Sequence, residues 1–309
     1  MHRSAQKISR RQFLGGGLAL AGATPFVGAL SIPASAVELA SVSIPVSNLP
    51  EELAGFRIGF ITDIHLSAFL QSDLIENALR ELKAQNLDLL LLGGDYIWRP
   101  RELVREAFPI YRKEFSDLDN PDLARGIYRQ LIELVSDVKT RHGTFAVLGN
   151  HDRWAASTTC QHAFDGSPIR LLINQSFAVS HGGKILEIFG SDDYLTGRPQ
   201  LPPASSRETT RILLTHNPDI LPWYLDQNHL PFALALMGHT HGGQICPRRG
   251  VAFSYNIENS RYGEGLVNHF SGCACYTARG IGCVGIPFRL NCPPEVTVLT
   301  LERAVITSL

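Results

Sequence analysis

Five short apolar runs, each followed closely by Asp, Asn or His, constrain this chain more than any other feature. The runs are Phe56 to Ile61, Leu87 to Leu92, Phe145 to Leu148, Ile212 to Leu214 and Phe232 to Met237. Runs this short and this continuous predict strands covered on both faces by other layers. After them come Asp63-Ile64-His65, Gly94-Asp95, Gly149-Asn150-His151-Asp152, Thr215-His216-Asn217 and Gly238-His239-Thr240-His241. In open α/β sheets, ligands bind in the crevice beyond the carboxyl ends of the strands. Rigid strands would therefore deliver these side chains to one rim, as a preorganised metal site requires.

Taken singly, the pieces carry little. A lone His such as His216 belongs to the core or surface far more often than to a metal. Gly149-Asn150-His151-Asp152 has the composition of a turn. Their joint occurrence at strand ends is what points to a site. Carboxylate, imidazole and amide oxygen suit Mn²⁺, Fe or Zn²⁺ better than a thiolate-seeking ion. Two ions about 3.5–4 Å apart need an anionic bridge, and Asp95 is the natural candidate.

The order D-x-H, G-D, G-N-H-[DE], a lone His and G-H-x-H, filled between residues 63 and 241, resembles the calcineurin-like metallophosphoesterase superfamily. Gly242-Gly243-Gln244, Arg279-Gly280-Ile281-Gly282 and Pro293-Pro294-Glu295 extend the resemblance to a bacterial branch of exported or membrane-associated phosphoesterases. The resemblance implies an α/β fold, a four-layer sandwich of two mixed β-sheets flanked by helices. It implies two divalent metal ions (Mn²⁺, Zn²⁺ or Fe²⁺), one held by Asp63, His65, Asp95 and His241. Asp95, Asn150, His216 and His239 would hold the other. His151 would face the phosphate, stabilising the transition state or protonating the leaving oxygen as an imidazole of near-neutral pKa. Asp152 would orient His151. The reaction implied is in-line attack of a metal-bound hydroxide on a phosphoester, a diester before a monoester, in an envelope lipid or wall polymer. Purple acid phosphatases in the superfamily carry an iron-binding Tyr three residues after the shared Asp. Trp98 stands there in this chain and offers no oxygen. Two rivals stay open: a pyrophosphatase acting on a lipid-linked sugar nucleotide of the UDP-diacylglucosamine type, and a non-catalytic metal-dependent binding module.

The amino terminus carries a separate signal. Ser9-Arg10-Arg11-Gln12-Phe13-Leu14 matches the bacterial twin-arginine export motif, ahead of a Gly- and Ala-rich apolar stretch to Ile32 and an Ala34-Ser35-Ala36 cleavage site. Residues 1–36 read as a signal peptide and 37–309 as the metallophosphoesterase domain. The expected partner is the twin-arginine export machinery, and the expected location is periplasmic or extracellular. The alternative is an uncleaved membrane anchor, weakened by the glycines and prolines of the stretch. Removing residues 1–36 takes 28 basic and 29 acidic side chains to 24 and 29, a net charge of −5. That argues against general nucleic-acid binding, which favours basic chains.

The six cysteines permit disulfides in an exported protein or serve as small buried hydrophobes. Residues 97–140, between the second and third metal motifs, are expected to contain a helical cap over the site. A charged amphipathic flank is the alternative for its first part. Arg99 and Arg101 at its start are candidates to clamp a substrate phosphate. Within it, Asn120-Pro121-Asp122 marks a helix start, with Ile127, Leu131, Leu134 and Val135 as its apolar face. A further helix is expected over Asp73 to Gln85, crossing between the first two strands, and a strand over Ile185 to Phe189 before Asp192 and Asp193. The signal assignment makes one expected outcome explicit. Intact-mass measurement of the exported protein should give a chain beginning at Val37, whereas the mass of all 309 residues would identify an anchor.

Overall fold

A computed structural model describes residues 36–66, 72–98, 121–154, 157–204, 206, 208–225, 232–269, 272–285 and 288–304. The expected signal segment up to residue 35, Arg99, Arg101 and the stretch to residue 120 lie outside the described residues. Two six-stranded sheets pack face to face. The first contains β1 (Glu38–Val46), β2 (Arg57–Ile61), β3 (Leu89–Leu92), β4 (Thr144–Ala146), β5 (Ile169–Leu171) and β12 (Glu295–Arg303), in the order β1-β12-β2-β3-β4-β5. The second contains β6 (Gln175–His181), β7 (Lys184–Gly190), β8 (Thr210–Leu214), β9 (Leu234–Met237), β10 (Gly265–Asn268) and β11 (Ala274–Thr277), in the order β10-β11-β9-β8-β7-β6. Both are mixed. Strands β2 to β5 run parallel, with β12 antiparallel to β2, and the parallel core β7-β8-β9-β11 is flanked by antiparallel β6 and β10.

The apolar runs are continuous because each strand buries both faces. Leu89 and Leu91 face the second sheet with Ile58, Phe60 and Phe145, against Ile188, Ile212, Leu214 and Leu236. Leu90 and Leu92 point the other way, as the period of two requires. There they meet helix α1 (Ser72–Lys83) and helix α2 (Pro121–Ser136). Helix α3 (Asn150–Trp154) lies beyond β4, and α4 (Ser157–Phe164) packs against α2. On the far side of the second sheet, Leu213, Ala235 and Met237 are covered by Ile220, Leu221 and Tyr224, from a 3-10 turn and helix α5 (Leu221–Leu225). The expected layers are therefore present: two mixed sheets flanked by helices.

Helix α1 buries Leu74, Ile75, Ala78, Leu79 and Leu82 and crosses from β2 to its parallel neighbour β3, the βαβ connection expected there. Helix α2 starts at Pro121 as expected, but its apolar face is turned. Ala124, Tyr128, Leu131, Ile132 and Val135 are buried, while Ile127 and Leu134 are only partly so. Tyr128 joins that face because its hydroxyl finds a buried partner in Asp152. This part of the expected cap is the crossover between β3 and β4 and belongs to the core. All six cysteines are free thiols, five of them buried. Among the described residues no helix is long and apolar enough to cross a membrane.

Burial on both faces has a measurable consequence. Leu90→Ala and Leu91→Ala should each destabilise the protein by about 2–5 kcal/mol in denaturant unfolding. A sheet with one solvated face would make one of the two nearly neutral.

Candidate metal centre

The residues expected as metal ligands sit two to four positions beyond β2, β3, β4, β8 and β9, all at carboxyl ends. The loops after β2 and β3 stay paired past the strands: Asp63 N–H donates to Gly94 O and His65 N–H to Asp95 O, each at 3.0 Å. Within this extension the backbone turns sharply. Asp63, His65, Asp95, His239 and His241 have φ of 50°, 46°, 54°, 70° and 53°, the left-handed region that L residues seldom occupy. Such strain persists only where the surroundings enforce it, and it concentrates at functional sites. Gly149 shows how close the packing is: a Cβ there would stand 2.1 Å from Asp95 Oδ1. Only glycine lets the third motif close over the second.

Two groups of buried donors converge. In the first, His65 Nε2 and His241 Nε2 are 3.0 Å apart, and His241 Nε2 lies 3.3 Å from Asp63 Oδ1. In the second, His239 Nδ1 is 3.2 Å from His216 Nε2. Asp95 Oδ2 stands between them, 3.5 Å from His65 Nε2 and 3.2 Å from His216 Nε2. The same oxygen thus reaches an imidazole of each group, and Asp95 with His65 and His151 makes a third cluster of buried donors.

Other contacts fix the direction of each donor. Asp95 Oδ1 accepts the His151 N–H at 2.8 Å, which leaves Oδ2 for the imidazoles. Asp63 accepts Thr62 Oγ1–H at 2.8 Å and the His239 N–H at 2.9 Å. His216 Nδ1–H donates to Gly93 O at 2.8 Å, so Nε2 turns its lone pair to the cluster. Asp152 accepts from the N–H groups of Asp95, Tyr96 and Gly149 at 2.8, 2.9 and 3.0 Å and from Tyr128 Oη–H at 3.2 Å. Its carboxylate thus joins the Asp95 loop, the Asn150 loop and helix α2. Arg289 Nη2 lies 3.2 Å from His241 Nδ1, and its guanidinium also donates to the carbonyls of His241, Arg279, Gly282 and Cys292.

These residues fit divalent cations. Burial disfavours charge on His216, yet the Asp95 carboxylate outweighs it and pulls the imidazole up to about 10. Burial likewise works against the Asp95 carboxylate, and His216 and His151 hold it well below its usual range. Without an ion the balancing charge is a proton on His216, which a metal would displace to free Nε2, while burial and neighbouring imidazoles hold His239 and His241 below their ordinary values. Asn150 Oδ1 is buried without a hydrogen-bond partner, as expected of an acceptor kept for an ion.

Six of the residues expected as ligands, namely Asp63, His65, Asp95, His216, His239 and His241, are therefore brought together. Asn150 opens α3 with its oxygen unpaired. His151 lies beside the first group, its ring 4.8 Å from that of His65 and 4.9 Å from Trp154. Asp192 pairs with Arg153 and also takes the Asp193 and Arg198 N–H groups, so it is both turn and tether. Sequence reading missed Tyr96, Tyr128 and Arg289. The i, i+4 spacing of Ala124, Tyr128 and Ile132 could have found Tyr128, whereas nothing local marks Arg289.

Residues 56–243 match the family profile described as calcineurin-like phosphoesterase. Phosphodiesterase YaeI of Escherichia coli (strain K12) is 36% identical over 256 residues, covering 81% of this chain and 84% of that protein. The uncharacterized metallophosphoesterase YkuE of Bacillus subtilis (strain 168) is 30% identical over 313 residues, covering 96% of this chain and 99% of that protein.

Two outcomes follow from the geometry. Asp95→Asn should lower the occupancy of both groups together in elemental analysis, and loss of one ion alone would refute a shared oxygen. Arg289→Lys keeps the charge but loses the planar fork. It should weaken metal retention against a chelator by about 10–100-fold, the usual cost of losing a ligand-orienting partner.

Proposed function

The chain belongs to the calcineurin-like phosphoesterase family of metal-dependent hydrolases, and we propose that it is a two-metal phosphodiesterase working outside the cytoplasmic membrane. The observation that carries the two-metal reading is the position of Asp95 Oδ2, 3.5 Å from His65 Nε2 and 3.2 Å from His216 Nε2. Asp63, His65 and His241 would hold one ion, Asn150, His216 and His239 the other, and Asp95 both. When bound, the pair supplies Lewis-acid stabilisation of phosphoryl oxygens and lowers the pKa of water from about 15.7 towards 7. Trp98, buried three residues after Asp95, brings no oxygen for a ferric centre. Mn²⁺, Zn²⁺ or Fe²⁺ suits the donor set.

His151 acts as a neutral hydrogen-bond donor. Burial disfavours its charged form, and although Asp95 pulls the other way, His65 and His216 help to hold it down to about 3. That direction favours a neutral ring over one that carries an extra proton to the leaving oxygen. Its role is to stabilise charge developing on the phosphoryl group, the first of the two roles open to it from the sequence. Asp152 and Arg289 hold the donors in place through backbone contacts.

The preference for a diester rests on the name of the Escherichia coli relative, a phosphodiesterase. Export rests on the Arg10-Arg11 motif and the Ala34-Ser35-Ala36 site. A folded passenger suits an enzyme that takes up metal before crossing. Together they favour a phosphodiester of an envelope lipid or wall polymer as substrate. The net charge of −5 on residues 37–309 disfavours nucleic acid.

The test is hydrolysis of bis-p-nitrophenyl phosphate beside p-nitrophenyl phosphate by metal-stripped protein before and after Mn²⁺ or Zn²⁺ is restored. Metal-dependent turnover favouring the diester is expected, and a monoester preference would remove the phosphodiesterase assignment. His151→Ala should keep its metal and lose about 10²–10⁴-fold in kcat. An equal loss of metal would instead place His151 among the ligands.

A further inference from the structure

We propose that Asp88, His142 and His181 form a second metal site, separate from the Asp95 centre, that takes one divalent ion of the Zn²⁺ class. Their ligand atoms lie within 4.8 Å of one another. His142 Nε2 and His181 Nδ1 are 3.0 Å apart. Two nitrogens each about 2.0–2.1 Å from one tetrahedral ion are separated by roughly 3.3 Å. A shift of a few tenths of an ångström would bring the two nitrogens to that spacing, and the Asp88 carboxylate, within 4.8 Å of them, would close in on the ion as it binds. Two imidazoles and a carboxylate, with water in the fourth position, form a normal zinc donor set.

The site is built from rigid parts. Asp88 immediately precedes β3, and its carbonyl accepts the His142 N–H at 2.8 Å, which fixes the two residues side by side. His181 ends β6 and pairs with Lys184 across a two-residue turn, Gly182-Gly183, with φ of 58° and 81°. Positive φ at both positions is the tight hairpin geometry that glycine supplies. The buried ring of Phe56 stacks on His142 at 5.7 Å and meets His181 edge-on at 5.0 Å. Both imidazoles are thus positioned before any ion arrives, which lowers the cost of binding.

The remaining chemistry is compatible. Asp88 Oδ2 accepts the Arg57 N–H at 2.9 Å and Oδ1 pairs with Arg141 at 3.0 Å. A carboxylate offers about four lone-pair positions, so capacity remains. The Arg141 side chain is 65% exposed and can turn to water. Burial, with the adjacent His181, lowers His142 below its ordinary value despite Asp88, the direction that favours an imidazole ligand over an imidazolium. Asp88 and His181 also line a cavity of 670 Å³ shared with Arg57 and Arg141, a route for a hydrated ion. Because Asp88 and His142 come from the first sheet and His181 from the second, the ion would clip the two sheets together.

The test is zinc stoichiometry of the full chain, saturated with ZnCl₂, desalted and measured by elemental analysis. His181→Gln and His142→Gln, each checked for native circular dichroism, should hold one zinc fewer per chain than the parent and gain less in Tm on addition of zinc. Hydrolysis of bis-p-nitrophenyl phosphate should be unchanged. Adding His181→Gln to an Asp95→Asn protein should again remove one zinc per chain, which separates this site from the reading of the main centre. Equal zinc content in the parent and both single variants overturns the proposal.

Discussion

The interaction on which the rest depends is the burial of two carboxylates, Asp63 and Asp95, where the ends of both sheets meet. An ionised carboxylate moved out of water costs several kcal/mol even after relaxation. Here Asp63 is relieved by Thr62, the His239 N–H and His241, and Asp95 by His151 N–H, His65 and His216. Well-packed apolar residues would commonly stabilise such a place better. The charges therefore make sense as a receptor for cations. The same reasoning covers Asn150, since a buried oxygen without a donor is a cost that a bound ion would remove.

Holding those groups in place strains the backbone. Five of the converging residues sit at left-handed φ, each at a cost of order 1–3 kcal/mol. The offset comes from the strands beneath them. Leu89 to Leu92 and their neighbours are fully buried on both faces, so the stems of the strained loops cannot relax. Asp152 completes the support by receiving three backbone N–H groups and one hydroxyl. Burial and the adjacent Asp95 raise its carboxyl to about 7, even as those N–H groups pull the other way. Rigidity of the core and strain of the rim are two sides of one design.

This division explains what was legible in the sequence. The central strands β2, β3, β4, β8 and β9 could be read because two-sided burial leaves a continuous apolar run. Strands β1, β6 and β10 could not, because at sheet edges they mix polar and apolar residues and their pairing is set by the rest of the fold. Strand β1 finds β12 across more than two hundred residues, Glu38 opposite Glu295, and no local pattern encodes that register. The candidate ligands were legible because metal chemistry restricts the residue types and the strand ends restrict their spacing. Arg289 was not, because it works through carbonyl oxygens of His241, Arg279 and Gly282, which every residue type carries. Tyr128 falls between these cases. Its helical spacing marks it as core, and only the approach of α2 to Asp152 reveals its hydroxyl's role.

Both sheets carry their parallel strands in one direction, so the sandwich has two chemically different rims. At the carboxyl ends the loops leave the strands and their side chains converge on Asp95. At the amino ends Asp88 and His142 lead into β3 and β4, with His181 at the turn into β7. The four residues of β3, at about 3.3 Å each, separate the rims by roughly 13 Å or more. That exceeds the Debye length of about 8 Å at physiological ionic strength, although buried charges are screened less. An ion at the amino rim would therefore act chiefly on the clamp between the sheets and only weakly on the donors around Asp95. The fold can in this way keep stability and chemistry at opposite ends of the same strands.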